Sequence, residues 1–341
     1  MLSRQQLGVD VGSSWVRISV RGKGIVLREP SVVALAGTQV VAVGDEAVRE
    51  SADAPETITT LRPLRDGFAA DHDLVAAMLR ALLGRVVGAS SRFSSPDIIL
   101  SLSSGASSAE REAALKVVHE VAHDVSLIEA PLAAALGAGA STGETGSLVV
   151  NIGGSTSDVA FVRDGNVVVA ETLRSAGYEC DEAIVRLARA RNKVLIGEDT
   201  AEAVKLELGA AILDASDPVA AERTKKIRGR DLTSGTPKTA HLAAQEVADV
   251  LREPLHKVAA GVRRVLEALP PELAADVVNG GVVLTGGGAR LRNSAEFFRQ
   301  QTGLPVRLAD NPADCVVLGV SRASEHPNWR SAISEPSSDK R

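Results

Sequence analysis

The chain has 341 residues, of which 45% are hydrophobic and 24% are charged. These values are ordinary for a globular protein, and the length favours two domains, each with a core of its own. The formal net charge of −5, with no basic stripe to offset it, weighs against a nucleic-acid partner. Aromatic residues make up only 2% of the chain, so an aliphatic core is predicted.

The two cysteines, Cys180 and Cys315, lie far apart and lack CxxC spacing, so neither a disulfide framework nor a thiolate zinc site is predicted. No apolar signal region precedes the first strand-like segment. No stretch approaches the roughly 20 apolar residues of a membrane span. The sequence therefore predicts a cytoplasmic protein.

Strand patterns come first along the chain, with two apolar segments around a Gly-Ser turn in residues 7–27 and two further strand-like runs before residue 45. Helical periodicity follows at 73–87. A buried-strand run at 98–102 then precedes a helical segment, SAEREAALKVVHEVA. This first half therefore predicts strands followed by helices.

The second half repeats this order, with strand-like runs in 147–173 and a helix at 179–191. Residues 213–239 are polar and basic and predict a loop or a small projecting hairpin. A helix is expected at 243–268, and a strand, a glycine-rich turn and a helix start at 282–291. A duplicated α/β unit is the simplest interpretation.

Three glycine-rich turns each follow an apolar strand, at Asp10–Ser14, Asn151–Thr156 and Thr285–Gly288. Glycine accepts positive φ and lets backbone N–H groups converge closely on a phosphate. Asp10 beside such a turn suits Mg²⁺, which usually keeps several waters and takes one or two carboxylates. A single turn of this kind is often only a tight turn. The three together favour a nucleotide held between two halves.

Blocks of the sequence from residue 10 to residue 293 resemble the MreB family, in family order. With the Asp10 turn, they are RGKGIVLREPSVVAL (21–35), RPLRDG (62–67), LIEAPLAAALGAG (127–139), IGGSTSDVA (152–160), LIGEDTAEAVKLELG (195–209), IRGRDLTSGTPK (227–238) and LPPELAADVVNGGVVLTGGGARLRN (269–293). The resemblance implies the α/β fold of the actin, sugar-kinase and heat-shock-chaperone ATPase superfamily, with duplicated domains around a nucleotide cleft.

The resemblance also implies the limits of the domains. Domain I covers 1–138 plus about 312–325 and includes a small subdomain at about 29–73. Domain II covers 139–311 and includes a small subdomain at about 178–239. A disordered tail follows at 326–341. The tail has the polar, Pro/Ser-rich composition of disordered chain ends.

The resemblance implies ATP and Mg²⁺ as cofactors and self-assembly into filaments at the inner face of the membrane. The implied partners are the cell-wall elongation or sporulation machinery. The blocks KGIVLREPSVVA and RGRDLTSGTP are typical of MreB and favour a filament over a chaperone or a kinase. For membrane binding, the residues before the first strand are too few for an amphipathic helix, and Phe93 with Arg92 is more often an ordinary exposed pair. Recruitment through partners is at least as plausible.

At the first phosphate turn, Asp10, Gly12 and Ser13 match the family and Ser14 belongs to the same turn. Asp10 is therefore the implied position for Mg²⁺, held through water. Trp15 stands where MreB usually has Asn, which predicts a bulky ring near the phosphates. The nucleotide-binding residues expected elsewhere are Gly153, Gly154, Ser155 and Thr156 of the second turn, Gly286, Gly287 and Gly288 of the adenosine-contacting turn, and Glu202 with Lys205 on one helix face.

Asn151 replaces the usual Asp of the second phosphate turn and removes one negative charge from the magnesium environment. Ser155 replaces the third Gly of that turn, where a side chain crowds a close backbone approach. Glu202 and Lys205, at i and i+3, border the ribose and base in relatives. A solvated Glu/Lys face is the alternative for this pair.

The family normally carries Glu-Glu-Pro where this chain has Glu129-Ala130-Pro131, and the second Glu positions the attacking water. Alanine cannot orient water or accept a proton, and such groups typically contribute roughly 10² to 10⁴ in rate. Hydrolysis is therefore expected to be slow or absent. Glu129 is a possible substitute, although consecutive residues point in different directions.

Three other interpretations stay open on the sequence. His119-Glu120-Val121-Ala122-His123 matches the zinc motif HExxH, but a catalytic zinc needs a third ligand, and Glu144 downstream lies in a Gly/Ser/Thr-rich turn. A sugar kinase shares the duplicated turns. A nucleotide-binding scaffold that does not polymerise is the third.

Overall fold

The computed structural model describes residues 4–65, 71–87, 95–140, 145–214, 216–217, 219–325 and 333. The strands in these residues form two five-stranded and two three-stranded sheets, and helices follow groups of strands along the chain. The predicted α/β class is confirmed.

The first five-stranded sheet is built from the first 130 residues. Its strands are β1 (Gln6–Val11), β2 (Trp15–Val20), β3 (Gly24–Pro30), β7 (Asp97–Leu102) and β8 (Asp124–Glu129). Their order is β3-β2-β1-β7-β8, with β1 antiparallel to β2 and parallel to β7. An antiparallel meander is thus continued by parallel strands.

The second five-stranded sheet repeats this plan. Its strands are β9 (Ser147–Ile152), β10 (Ser157–Arg163), β11 (Asn166–Leu173), β15 (Val282–Thr285) and β16 (Val306–Leu308). The order β11-β10-β9-β15-β16 again joins a meander to two parallel strands. The duplicated unit predicted from the sequence is therefore present in the topology.

Each half also carries a three-stranded sheet. One contains β4 (Val33–Ala36), β5 (Gln39–Val43) and β6 (Ile58–Leu61), and the other contains β12 (Val194–Leu195), β13 (Thr224–Asp231) and β14 (Pro237–Ala243). The structure has a hairpin of β13 and β14 where the sequence predicted a loop or a small projecting hairpin, and this hairpin contains Arg228, Gly229 and Arg230. They lie on β13, where seven consecutive residues pair with β14. Because only Ile227 of β13 is buried, the strand resembles a loop in sequence.

Ten α-helices complete the described part of the chain. They are α1 (Asp45–Asp53), α2 (His72–Val87), α3 (Ser108–His119), α4 (Ala130–Gly137), α5 (Gly177–Leu187), α6 (Glu198–Leu208), α7 (Ala244–Ala268), α8 (Pro271–Gly280), α9 (Ser294–Thr302) and α10 (Cys315–Glu325). Among the residues described, no helix has the length and apolar character that crossing a membrane requires.

The HExxH match does not lie on one helix. Helix α3 ends at His119, so His119 and His123 do not share a helical face. His123 instead places Nδ1 3.2 Å from Asp97 Oδ1 at the start of β7. The described ranges hold no group of three or more His, Cys, Asp or Glu positioned around a metal ion. The helix was overextended in the prediction because VVHEVA keeps an apolar period past the end of α3.

Helices α4 and α10 cross between the two five-stranded sheets. All eight residues of α4 are buried, and both helices belong to one apolar cluster with residues of β9, β10 and β15. A Cβ atom on Gly319 would overlap the carbonyl of Ala133, and one on Gly137 would overlap the carbonyl of Cys315. The backbones therefore approach too closely for any side chain at these two positions.

This crossing predicts opposite effects for two helical glycines. Gly319→Ala should lower the free energy of unfolding by about 2 kcal/mol, because overpacking a tight core forces backbone shifts. Gly84→Ala, on an exposed turn of α2 with open space around it, should raise it by about 0.5–1 kcal/mol, since alanine is the better helix former. Urea denaturation midpoints measure both, and equal shifts would contradict the close crossing.

Several predicted features fall outside the described residues. These are the Phe93 and Arg92 pair, Glu144, and the tail at 326–341 apart from Ile333. The domain limits also stay a prediction. The large sheets lie on either side of the expected boundary near residue 138, and α10 packs on β1 and β2 of the first sheet.

Candidate nucleotide-binding site

The three glycine-rich turns meet at one cavity of about 1170 Å³. Its walls include every predicted nucleotide-binding residue, namely Asp10, Gly12, Ser13, Ser14, Gly153, Gly154, Ser155, Thr156, Glu202, Lys205, Gly286, Gly287 and Gly288. Small-molecule sites usually occupy roughly 300–1,000 Å³. The cavity is therefore large enough for a nucleoside triphosphate.

The two phosphate-turn candidates are the β1–β2 and β9–β10 hairpin turns, and each is closed in the same way. Gly12 N–H donates to the carbonyl of Trp15 at 3.0 Å, and Gly153 N–H donates to that of Thr156 at 2.9 Å. The turns also touch each other, because Ser155 N–H donates to Ser13 Oγ at 3.0 Å. The halves of the chain thus meet at their equivalent hairpins.

Glycine is required at two points of this arrangement. A Cβ on Gly154 would come within 2.6 Å of Ser13 Oγ, and Gly286 has a φ of +83° with a Cβ position that overlaps the Ile152 carbonyl. Ser155 avoids the expected crowding, since its Oγ points across the cleft and donates to the carbonyl of Arg65 at 2.6 Å. The replacement of the family's third glycine therefore adds a contact between the halves.

Asp10 is enclosed by polar partners. Its carboxylate accepts a hydrogen bond from Ser101 Oγ at 3.1 Å and lies 3.7 Å from Arg17 Nη1. Burial raises the pKa of Asp10, while Arg17 and Ser101 oppose that rise. Arg17 in turn donates to Asp314 at 3.1 Å. Trp15 is 40% exposed at the cavity wall, so its ring borders the site as the sequence indicated.

The second hairpin carries a different pair at the equivalent positions. Asn151 accepts from Thr285 Oγ1 at 3.2 Å, and Asp158 faces Asn151 across the β9–β10 ladder. Asp158 is buried and accepts from Thr172 Oγ1 at 2.5 Å and from Ser103 Oγ. Burial raises the pKa of Asp158 despite these hydrogen bonds. Asp158 was not predicted as a site residue, although a charged residue beside the apolar run VAFV is a signal that could have indicated it.

Ala130 lies at the start of α4, lines the cavity and is 8% exposed. The preceding Glu129 accepts a hydrogen bond from Ser104 Oγ at 2.5 Å. The methyl group of Ala130 thus occupies the position that faces the cleft, while the carboxylate of Glu129 is engaged beside it. Whether Glu129 substitutes in hydrolysis stays a prediction.

Side chains from both halves bridge the open side of the cleft. Tyr178 donates its hydroxyl proton to the carbonyl of Ser13 at 2.8 Å and accepts from Ser14 Oγ at 3.0 Å. The guanidinium groups of Arg62 and Arg65 lie 5.8 and 5.5 Å from the centre of the Tyr178 ring, within cation–π range. These bridges join residues far apart in sequence, and sequence patterns gave no sign of them.

Helix α6 supplies the pair predicted near the nucleoside. Glu202 accepts from Arg62 at 3.3 Å. Lys205 donates to Asp181 Oδ2 at 2.7 Å and to the carbonyl of Gly177 at 3.1 Å. Both residues line the cleft, so the pair is more than a solvated face. Burial raises the pKa of Asp181 to about 6, and the Lys205 ammonium opposes this rise.

Because Asp181 pairs with Lys205, removing the lysine should lower the free energy of unfolding by an amount that depends on pH. A carboxyl with a pKa of about 6 when folded and 3.8 otherwise holds its proton more tightly in the folded state, so its contribution to stability falls as pH rises between these values. Lys205→Met should lower the free energy of unfolding by about 3 kcal/mol at pH 8, because a buried charge loses its partner. The loss should be smaller at pH 5.

Urea denaturation at the two pH values measures this difference. Lys257→Met is the matched control, since Lys257 pairs with Glu179 but is 47% exposed. Exposed pairs contribute about 1 kcal/mol or less. An equal loss for Lys205→Met at pH 5 and pH 8 would show that the ionisation of Asp181 is not the cause.

The duplicated sheets, the shared cleft and the three glycine turns define an actin-like fold. The structure superposes on crystal structures of MreB5 of Spiroplasma citri bound to ADP and to AMPPNP, each with a TM-score of 0.87 and 31% identity. The ADP-bound comparison covers 96% of this chain and 98% of that one. The AMPPNP-bound comparison covers 95% and 97%.

Sequence comparisons give the family. The model of the family described as MreB/Mbl protein matches residues 4–331. The cell shape-determining protein MreB of Escherichia coli K12 is 40% identical over 327 residues, 94% of this chain and 93% of the relative. The cell shape-determining protein Mbl of Bacillus subtilis 168 is 37% identical over 319 residues, 92% and 94% of the two chains. The chain belongs to the MreB/Mbl family.

Proposed function

We propose that this chain binds ATP in the cleft between its two large sheets and assembles into filaments that help direct cell-wall synthesis and cell shape. The observation that carries the proposal is the meeting of three glycine turns at one cavity. Two solved MreB5 structures are bound to ADP and AMPPNP, which supports a nucleotide for this chain. The choice between ATP and GTP is left to measurement.

The proposed roles follow from position. The turns at Gly12–Ser14 and Gly153–Thr156 face the phosphates, with the backbone N–H groups of Ser13, Ser14 and Gly154 as the proposed donors, because those of Gly12 and Gly153 close the two hairpins. The third turn, with Gly286, Gly287 and Gly288, faces the nucleoside together with Glu202 and Lys205 of α6. In this proposal the two halves are the two predicted domains, and the nucleotide joins them.

Magnesium at Asp10 stays a prediction, and the contacts give it little support. The Asp10 carboxylate is already engaged by Ser101 and by the guanidinium of Arg17. The second turn contributes the neutral amide of Asn151. These residues do not fit a magnesium ion held as the family resemblance implies.

The proposed filament turns nucleotide over slowly. A water-positioning side chain is missing at Ala130, whose methyl group lines the cleft. Asn151 has an amide where the family carries a carboxylate. Assembly at the inner face of the membrane and work with cell-wall enzymes belong to the same proposal, which the family of cell shape-determining relatives supports.

One titration tests binding and assembly together. The purified chain is mixed with a fluorescent ATP analogue, and saturable binding and high-speed pelleting are measured on the same samples. Gly154→Val is the negative control, because a side chain there collides with Ser13 and Ser14. Binding with pelleting supports the proposal, binding without pelleting indicates a scaffold that does not polymerise, and the lack of both would refute the nucleotide cleft.

The missing water-positioning group predicts a gain of function. Ala130→Glu should raise the rate of phosphate release by about tenfold or more, since such groups usually contribute 10² to 10⁴. Glu129→Gln, which removes the neighbouring carboxylate, should leave the slow basal rate unchanged within about twofold if Glu129 takes no part. Phosphate release from the unaltered chain as fast as from Ala130→Glu would contradict slow turnover.

Membrane recruitment is tested separately by co-sedimentation with liposomes of anionic lipid. Direct binding of the isolated chain would place it at the membrane without partners. Failure to sediment would leave partner recruitment as the remaining route within the proposal. No contact in the described part of the cleft supports the sugar-kinase alternative. Sugar-dependent formation of ADP is the assay that tests it.

A further inference from the structure

A half-buried arginine lies in the cleft beside the first phosphate turn. Arg17 faces Asp10 directly across the β1–β2 ladder. Its Nη1 lies 3.7 Å from Asp10 Oδ2, its Nε donates to Asp314 Oδ1 at 3.1 Å, and its side chain is 13% exposed. The guanidinium is therefore fixed at the base of the first phosphate turn rather than extended into solvent.

The remaining carboxylates of the described cavity wall are also engaged. Each has a recorded partner: Asp158 with Thr172, Asp314 with Arg28, Glu110 with Ser107, Glu179 with Lys257, Glu182 with Arg65 and Glu202 with Arg62. At the wall around Asp10, the guanidiniums of Arg17 and Arg28 balance the carboxylates of Asp10 and Asp314. The summed charge of these four side chains is zero, so this wall has no net negative charge to attract a divalent cation.

A magnesium ion held at Asp10 would lie close to the fixed positive charge of Arg17, and like charges repel more strongly in a partly buried site than in bulk water. A phosphate group is negatively charged, so Arg17 attracts it. Guanidinium carries five N–H donors in a planar fork that matches phosphate oxygens. The contacts through Nε and Nη1 leave it donors for a phosphate oxygen.

We infer that Arg17 takes the place of magnesium in this chain, so that nucleotide binding needs the Arg17 guanidinium and does not need a divalent cation. The inference rests on the proposed nucleotide site and specifies its ligand as the metal-free nucleotide. Asn151 fits the same scheme, because a second carboxylate serves no purpose where no metal is held. Arg17 is then the residue that determines which ionic form of the nucleotide binds.

The test is the affinity for a fluorescent ATP analogue, measured with excess Mg²⁺ and again with EDTA. The unaltered chain should bind equally well in both, within about threefold. Arg17→Gln should weaken binding in EDTA by about tenfold or more, as expected for the loss of a charge-assisted hydrogen bond. Mg²⁺ should restore part of that loss, because the variant wall carries net negative charge. Arg17→Lys should keep most of the EDTA affinity.

Arg80→Gln is the matched control, since Arg80 pairs with Glu120 on the outer surface away from the cleft, and its affinity should be unchanged. Thermal melting of each variant separates lost binding from lost folding. Binding by the unaltered chain that falls tenfold or more in EDTA would overturn the inference and leave the nucleotide site standing. No binding in either buffer would refute the nucleotide site itself, and the inference with it.

Discussion

The structure depends on the close approach of two backbone hairpins, one from each half of the chain. Ser155 N–H reaches Ser13 Oγ at 3.0 Å, and Gly154 lies so near Ser13 and Ser14 that no side chain fits. The same principle operates at the α4–α10 crossing, where Gly137 and Gly319 let carbonyl groups take the place of side chains. The hairpins can approach this closely because Gly154 carries no side chain where the hydroxyl groups of Ser13 and Ser14 come near.

Much of the fold could be predicted from residue patterns because its determinants are local. The strand periodicity of residues 7–27 and 147–173 and the glycines of the three turns fix the hairpins, and the repeated order indicates the duplication. At β13 the residue pattern left a loop and a hairpin open. Its strand character comes from seven residues paired with β14 and not from its own composition, which has a single buried residue, Ile227.

The residues of the candidate site also fall into those that local sequence patterns predict and those that they do not. Backbone-lined positions such as Gly153 and Gly286 could be predicted, because a glycine turn after a strand is a local signal. Arg17, Asp158 and Tyr178 could not, because their importance comes from partners more than 100 residues away in two of the three cases. The alternation of residues along a strand predicts which face of the sheet a side chain lies on. It does not predict which distant residue that side chain contacts in the folded chain.

Two departures from the family pattern, Ala130 and Asn151, lie near Arg17, and the three residues act in one direction. Ala130 removes the group that would orient water, Asn151 removes a carboxylate, and Arg17 supplies a fixed cation against Asp10. Each change favours holding a polyphosphate over cleaving it, since cleavage needs an oriented water and binding needs only donors and positive charge. Gly12, Gly153 and Gly154 of these turns are retained, while Ser155 stands in place of the third glycine of the second turn. Under the proposed function, these residues would make the cleft a nucleotide clamp, in which bound phosphates link the two hairpins and are cleaved only slowly.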